Sequence, residues 1–158
     1  QMKMWLPAFK KVRRITAKKK GDSFMGSDLS FEDLSTRVLD DYNYTLMKDT
    51  VYNDQEAYLL EIKPKAKLKS SYSKHITIVD KTQLLTKEEL SYNKKGILEK
   101  KKIFSYSKID DYFIIVKIFV IDIQKDHSTL VEFSNIKLDD MLNDKLFHEK
   151  NLQRLPEY

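Results

Sequence analysis

The stretch Asp111–Gln124 reads DYFIIVKIFVIDIQ and is apolar at both odd and even positions. A strand with one face in water alternates apolar with polar residues, whereas a strand covered on both faces does not. The run is rich in β-branched and aromatic residues and lacks Gly and Pro, which favours a strand over a helix. It is also too short, and too interrupted by Lys117, to span a bilayer as a helix. We therefore predict a central strand of an antiparallel sheet, with packed helices, a lipid-like ligand or a partner on its second side.

Further strands, separated by short polar turns, are predicted along the rest of the chain. They lie at Met2–Leu6, Tyr42–Val51, Glu56–Lys63, His75–Asp80, Leu84–Asn93, Ile97–Ile109 and Ser128–Leu138. Short connections imply antiparallel neighbours, because parallel pairs need a long crossover. A meander of about seven or eight strands has to curl. It can close as a barrel, or remain an incomplete barrel that wraps around helices.

Two short helical segments complete the predicted elements. Within Gly21–Arg37, Ser27 or Asp28 can cap a short helix that carries Glu32 and Asp33 in its first turns. Apolar residues of the same segment should pack onto the sheet: Phe24, Met25, Leu29, Phe31 and Leu34. Leu146–Leu152 is predicted to form a terminal turn of helix or an irregular cap.

Composition narrows the class of protein. A chain of 158 residues with 41% hydrophobic residues suits a single domain with a core. There is no cysteine, which removes disulfides, thiol catalysis and thiolate metal sites and fits the bacterial periplasm and the cytosol equally well. The three histidines, His75, His127 and His148, show no metal-ligand spacing.

No catalytic motif stands out in the sequence. G-x-S-x-G, H-E-x-x-H, the P-loop and G-x-G-x-x-G are all missing. The acids Asp28, Glu32 and Asp33 are explained by helix capping, and the pairs Asp110-Asp111 and Asp139-Asp140 by turns. We expect no enzyme, no cofactor and no metal. Nucleic-acid binding is also not expected, because the aromatic residues alternate with aliphatic ones inside strands and form no RNP-type motif among lysines.

A basic segment, Ala8–Lys20, contains seven Lys and Arg residues and no acid. Phe9, Val12 and Ile15 interrupt it at near-helical spacing, although an extended conformation fits equally well. One interpretation is an amphipathic edge whose lysines lie in solvent. The other is a contact with anionic headgroups or an acidic partner.

Several short segments form a recognisable pattern along the chain. The first of them are Trp5-Leu6-Pro7, Lys11-Val12-Arg13-Arg14-Ile15, Asp22-Ser23-Phe24-Met25-Gly26-Ser27-Asp28 and Phe31-Glu32-Asp33-Leu34. Those further along are Tyr92-Asn93-Lys94-Lys95-Gly96, His127-Ser128-Thr129, Leu146-Phe147 and Asn151-Leu152. Together they resemble the outer membrane lipoprotein-sorting proteins related to the periplasmic carrier LolA, in the branch associated with RND-type exporters. The resemblance extends over essentially the whole chain.

The resemblance implies a curled, incomplete antiparallel barrel with helices over its concave face, an apolar cavity for acyl chains and a periplasmic location. The family's first strands and long N-terminal helix have no counterpart here. We therefore expect residues 1–158 to be the C-terminal portion of a single LolA-like domain, with a signal peptide upstream.

Carrying an acyl chain through water requires an apolar groove, since each CH₂ gains about 0.8 kcal/mol on leaving water. The candidate groove residues are Trp5, Phe24, Met25, Leu34, Phe113, Ile115, Phe119 and Ile121. The opposite face of the Asp111–Gln124 strand is an alternative, and so is an ordinary sheet core. Arg13 and Arg14 are candidates for a headgroup or partner contact at the rim, or for a structural ion pair with Asp28 or Glu32.

Two functions therefore remain open. The first is a periplasmic lipid or lipoprotein carrier, with an inner-membrane exporter as donor and an outer-membrane protein as acceptor. The second is a periplasmic interaction module accessory to an RND-type export complex, binding through a sheet edge or the basic segment. An open apolar groove favours the carrier, and a groove filled by the protein's own side chains favours the module. Exposed apolar sheet surface would also permit a dimer.

Overall fold

The computed structural model describes residues 2–6, 9–16, 19–138, 143–148 and 150–151. Nine strands lie within these ranges: β1 (Met2–Leu6), β2 (Lys11–Ile15), β3 (Tyr42–Tyr52), β4 (Gln55–Pro64), β5 (Tyr72–Asp80), β6 (Thr86–Asn93), β7 (Leu98–Ile109), β8 (Tyr112–Asp122) and β9 (His127–Glu132). Two short 3₁₀ turns have both ends within these ranges, Leu39–Asp41 and Asp144–Phe147.

Strands β3 to β9 form one seven-stranded antiparallel sheet in which every strand pairs with its neighbours in sequence. The predicted curled meander is thus confirmed. β3 and β9 are the two edges, while β1 and β2 pair only with each other in a separate hairpin. The predicted central strand, β8, lies inside the sheet but next to its edge strand rather than in the middle.

The hairpin turns follow from their residues. Asn53 and Asp54 join β3 to β4 with φ of 49° and 63°, the left-handed pair that a type I′ turn requires and that Asn and Asp tolerate. Gly96 supplies φ of 76° between β6 and β7, which a residue without Cβ adopts freely. Asp110 has φ of 51° in the turn before β8.

The predicted capped helix within Gly21–Arg37 is wrong. Between Thr16 and Val38 the described chain makes turns and one isolated bridge, with a single helical turn closed by the hydrogen bond from Leu34 N to Ser30 O. Ser30, rather than Ser27 or Asp28, caps that turn through Asp33. Long-range polar partners account for the difference, because Asp28 bonds to Thr129 of β9 instead of to local amides.

Residues 19–41, here called the crossing loop, lie across one face of the sheet, here called the inner face. The loop contacts β9 through Asp28, β7 through Asp33 and β6 through Arg37. It also passes close to the start of β5, where a Cβ on Gly21 would lie 2.3 Å from the Ser71 hydroxyl oxygen. A larger residue at that crossing would therefore force the Ser71 side chain to move.

A β-bulge at Val116 decides which side chains of β8 reach the inner face. Ser105 pairs with Lys117 but Tyr106 pairs with Ile115, so one residue of β8 is extra. As a result, odd-numbered residues before the bulge share the inner face with even-numbered residues after it. The two-faced apolar run therefore does not present one simple alternating set.

Candidate functional site

A buried ionic network fills the middle of the inner face beneath the crossing loop. Asp33 is its hub: one carboxylate oxygen lies 2.7 Å from Lys102 Nζ and the other 3.0 Å from Lys100 Nζ. The Tyr72 hydroxyl donates to the same carboxylate at 3.0 Å, and the Ser30 hydroxyl donates at 2.8 Å. All of these groups are buried, so every acceptor position of the carboxylate is used away from water.

Glu89 of β6 is the second anion of the network. Its carboxylate lies 2.9 Å from Lys102 Nζ and accepts two bonds from the Arg37 guanidinium, at 3.0 and 3.3 Å. Thr77 donates to it at 3.1 Å, and Nδ1 of His75 lies 3.4 Å away. Because Arg37 belongs to the crossing loop, this carboxylate ties the loop to the sheet by a bidentate pair.

The network shifts the pKa values of its members. Burial alone would raise the pKa of Asp33, but the ammonium groups of Lys102 and Lys100 outweigh it and hold that pKa well below its usual range. Glu89 behaves in the same way, with Lys102 and then His75 and Arg37 as the opposing causes. Burial lowers the pKa of His75 to about 4, so its imidazole is neutral at pH 7. Burial also raises the pKa of the Tyr72 hydroxyl far above its usual range, which keeps it a donor.

Strand register brings these charges together. The hairpin around Gly96 pairs Glu89 with Lys102 and Ser91 with Lys100, and paired residues of antiparallel strands share a face. Acids and lysines placed symmetrically about a predicted turn were the sequence signal for this network. The network was not predicted, because charged residues in strands usually lie on the solvent face.

Beside the network, the inner face opens into an apolar groove of about 540 Å³ near the β7–β8 hairpin. Its lining is Tyr106, Phe113, Ile114, Ile115, Ile118, Phe133 and Ile136. A second cavity of about 280 Å³ lies under the crossing loop, and it shares Tyr106, Ile115 and Ile118 with the groove. The cavity also touches Asp33, Glu89 and Lys102. Groove and cavity are therefore neighbours, with Tyr106, Ile115 and Ile118 between them and the charged side chains on the wall of the cavity.

The structure divides the predicted groove residues of β8 between two faces. Phe113 and Ile115 line the groove. Phe119 and Ile121 follow the bulge, pair with Ile103 and Lys101, and so lie on the opposite face from Lys100 and Lys102. Five further lining residues were not among the candidates: Tyr106, Ile114, Ile118, Phe133 and Ile136. The bulge is not visible in the alternation of residue types, and Phe133 and Ile136 follow β9 rather than lie in a strand.

The remaining predicted groove residues lie elsewhere. Trp5 is on β1, opposite Val12 in the separate hairpin. Phe24 packs edge-on against Phe31 with ring centroids 5.6 Å apart. Met25 is exposed in a turn with φ of 51°, and Leu34 is partly exposed. None of the four lines the groove or the cavity described above.

The predicted rim residues Arg13 and Arg14 lie on β2, opposite Met4 and Lys3. The two acids proposed as their structural partners have other contacts. Asp28 accepts from the Thr129 hydroxyl at 2.7 Å and lies 2.8 Å from Nδ1 of His127, and these bonds hold its pKa below the usual range against the effect of burial. Glu32 accepts from the Ser71 amide at 2.7 Å.

Other kinds of site were also sought. In the ranges that the structure describes, no group of three or more His, Asp or Glu side chains is arranged to hold a metal ion. No described helix is both long and apolar enough to cross a bilayer.

Comparisons with known proteins agree on the fold. A family model described as "uncharacterized protein" matches residues 1–154. A structure from Vibrio parahaemolyticus, provisionally assigned as an outer membrane lipoprotein-sorting protein domain, has a TM-score of 0.90 and 31% identity, covering 95% of this chain and 64% of its own. A DUF1329 family protein from Desulfovibrio piger has a TM-score of 0.88 and 35% identity, covering 94% and 62%.

A LolA superfamily protein from Nitrosomonas europaea has a TM-score of 0.73 and 18% identity, covering 94% of this chain and 66% of its own; this likeness concerns the fold alone. The chain spans less than two thirds of the length of the first two structures. A comparison with curated protein sequences found no match.

Proposed function

Because the chain belongs to the family of uncharacterized proteins whose model matches residues 1–154, the DUF1329 family with its LolA-like fold, we propose that it is a non-catalytic carrier of lipid or lipoprotein acyl chains. The apolar groove of the inner face is the proposed binding site. In this proposal, an acyl chain lies along Phe113, Ile115 and Ile118 and reaches the cavity under the crossing loop.

The shared lining of groove and cavity at Tyr106, Ile115 and Ile118 is the observation that carries this proposal. Their volumes, about 540 and about 280 Å³, lie near the size range of small-ligand sites. The groove is lined almost entirely by apolar side chains, and several of them, such as Phe113 and Phe133, are exposed to water without a ligand. An acyl chain would remove that surface from water, at about 25 cal/mol per Å² of apolar area.

The ionic network supports the proposal by fixing the charged wall of the cavity. A core of apolar side chains can collapse into an empty groove, whereas Asp33, Glu89 and Lys102 are held by mutual bonds. Such bonds resist rearrangement when each polar group is satisfied. The crossing loop therefore stays at its distance from the sheet whether or not cargo is present.

The compartment and the exchange partners extend the same proposal. A structural relative is provisionally assigned to outer membrane lipoprotein sorting, which supports a periplasmic location for this chain. We place its donor at the inner membrane and its acceptor at the outer membrane.

A pair of substitutions on one strand tests the groove. Ile115→Glu places a charge in the groove, and Ile121→Glu places the same charge on the opposite face of β8. In titrations with a fluorescent fatty acid, we expect the first variant to bind more than about tenfold more weakly, since an unpaired charge strongly disfavours an apolar site. We expect the second to bind like the wild type. Equal affinities, with both variants folded by circular dichroism, would refute the groove assignment.

A second candidate is the interaction module, and the edge strand β3 favours it. β3 is eleven residues long, pairs on one side only, and exposes Leu46, Met47 and Val51. Long exposed edges accept strands from other chains. Met47→Pro would remove a backbone donor from this edge, so loss of a partner in crosslinking, with acyl binding unchanged, would support the module.

A further inference from the structure

The hairpin formed by β1 and β2 stands apart from the main sheet and ends in an exposed aromatic residue. Its strands pair from Met2–Ile15 to Leu6–Lys11, and the connection between them includes Phe9 and Lys10. Ile15, at the base, is buried, whereas the Phe9 side chain is 71% exposed. Lys10 has φ of 47°, and the connection lies at the opposite end of the hairpin from Ile15, because Leu6 pairs with Lys11 there.

The positive charge of the chain is concentrated at this hairpin and the segment that follows it. Ala8–Lys20 carries seven Lys and Arg residues and no acid, whereas the remaining 145 residues carry 22 basic and 24 acidic ones. The net charge of +5 therefore comes from one short segment. Lys10, Lys11 and Arg13 are exposed and follow Phe9 within four residues of sequence, so this end of the hairpin carries both an exposed ring and exposed cations.

We propose that the hairpin tip docks on an anionic lipid bilayer, with Phe9 inserted among the headgroups and Lys10, Lys11 and Arg13 against the lipid phosphates. The exposed cations can contact the lipid phosphates of an anionic membrane, and the exposed aromatic ring can enter the more apolar region just beneath them. Each cation near such a surface contributes about 1 kcal/mol, or roughly fivefold in affinity, and an apolar side chain that enters the interface adds to this. An acidic protein would satisfy the cations but would not require the exposed ring. This docking is independent of acyl binding in the groove.

Vesicle binding tests the charge and the ring separately. Wild-type protein should co-sediment with phosphatidylcholine vesicles containing about one third phosphatidylglycerol, should not do so with pure phosphatidylcholine, and should be released as NaCl rises from about 0.1 to about 1 M. Phe9→Ser should lower the partition coefficient roughly tenfold. Lys10→Glu with Lys11→Glu should lower it by more than about tenfold.

Matched controls use the same substitutions elsewhere on the surface. Phe147 is 75% exposed and Lys48 and Lys95 are exposed, so Phe147→Ser and the double variant Lys48→Glu, Lys95→Glu should bind like the wild type. The second control changes the net charge by the same amount as the hairpin variant. Equal losses in both charge variants would overturn the proposal, because net charge rather than the hairpin would then explain binding.

Fluorescence distinguishes a membrane from an acidic protein. Trp5 is the only tryptophan, so Trp5→Phe combined with Phe9→Trp moves the probe to the tip. We expect its emission to shift to the blue with anionic vesicles and to be quenched by brominated acyl chains. Binding to polyglutamate as tight as to vesicles, with no blue shift or quenching on vesicles, would overturn the proposal in favour of an acidic partner.

Discussion

Nζ of Lys102 lies 2.7 Å from Oδ1 of Asp33, with the two side chains only 5% and 1% exposed. Removing both charges from water is costly. The cost is offset because Lys102 also reaches Glu89, at 2.9 Å, while Asp33 also holds Lys100 and Tyr72. The pair therefore joins the crossing loop to β7 through a network rather than through a lone ion pair.

Removing the hub of this network should destabilise the protein strongly. Asp33→Ala leaves Lys100 and Lys102 buried without their carboxylate, and we expect urea unfolding at pH 7 to show a loss of about 3–5 kcal/mol. The control is Glu132→Ala, which breaks the 2.6 Å pair with Lys117 where both side chains are about half exposed. That variant should lose less than about 1 kcal/mol. Similar losses in the two variants would show that burial does not set the strength of the network.

The free energy of unfolding should decrease as pH is lowered through the range between the folded-state and unfolded-state pKa values of His75. Burial lowers its folded-state pKa to about 4, against about 6.5 in the unfolded chain. Between these values the unfolded state binds a proton that the folded state does not, so stability falls as pH falls, by about 1.4 kcal/mol per pH unit. His75→Gln should flatten this part of the profile measured by urea unfolding. His148→Gln, at an exposed position, should keep the wild-type slope, and an unchanged slope in His75→Gln would refute the assignment.

Below about pH 4, the buried carboxylates should cause a second loss of folding stability. The pKa values of Asp33 and Glu89 are held below the usual range. The stability that these two carboxylates contribute is fully present above their unfolded-state pKa of about 4. It is lost as pH falls through their folded-state pKa values. The profile of His75→Gln should therefore retain this acid limb.

Thr129 should hold the first half of the crossing loop, around Asp28, against β9. Its hydroxyl donates to the Asp28 carboxylate at 2.7 Å and accepts from the Asp28 amide at 3.0 Å. Thr129→Val keeps the shape but removes both bonds, and a bond to a charged group contributes about 1.5–3 kcal/mol. Hydrogen exchange should become faster in residues 22–31, whereas Thr45→Val on the exposed edge strand should leave it unchanged. Equal exchange in the two variants would show that the loop is held elsewhere.

A single glycine should stabilise the β3–β4 hairpin. Asp54 has φ of 63° after Asn53, and Asn-Gly is the favoured pair for this turn type. We expect Asp54→Gly to raise the free energy of unfolding by about 0.5–1 kcal/mol. Thr50→Gly, within the paired part of β3, should lower it, because glycine weakens a strand interior. A loss in both variants would contradict the turn assignment.

Strand positions could be predicted because their signals are local. Asn53-Asp54 and Gly96 set the turns, and the apolar runs between turns set the strands. The bulge at Val116 could not be predicted in this way, because it depends on how β7 and β8 fit along their whole length. It is the reason that Phe113 and Ile115, but not Phe119 and Ile121, line the groove.

The crossing loop shows the limit of local rules more clearly. Asp28 and Asp33 have the spacing and the neighbours of helix-capping acids, yet their partners are Thr129 and Lys102, about a hundred and about seventy residues away in sequence. Asp28 bonds to the distant strand instead of capping a local turn, whereas Asp33 keeps its capping bonds to Ser30 and adds the distant lysines. The buried ionic network depends on these long-range contacts, whereas the resemblance to LolA-like proteins implied only the apolar groove.

Native mass spectrometry of the protein purified without detergent tests acyl-chain carriage most directly. We expect adducts with the masses of fatty acids or phospholipids on the wild type and on Ile121→Glu, and their loss from Ile115→Glu, whose charge would lie in the groove. Lipid extraction of the same samples should recover the corresponding acyl species. A bare polypeptide mass in all three samples, even after incubation with phospholipid vesicles, would contradict the account.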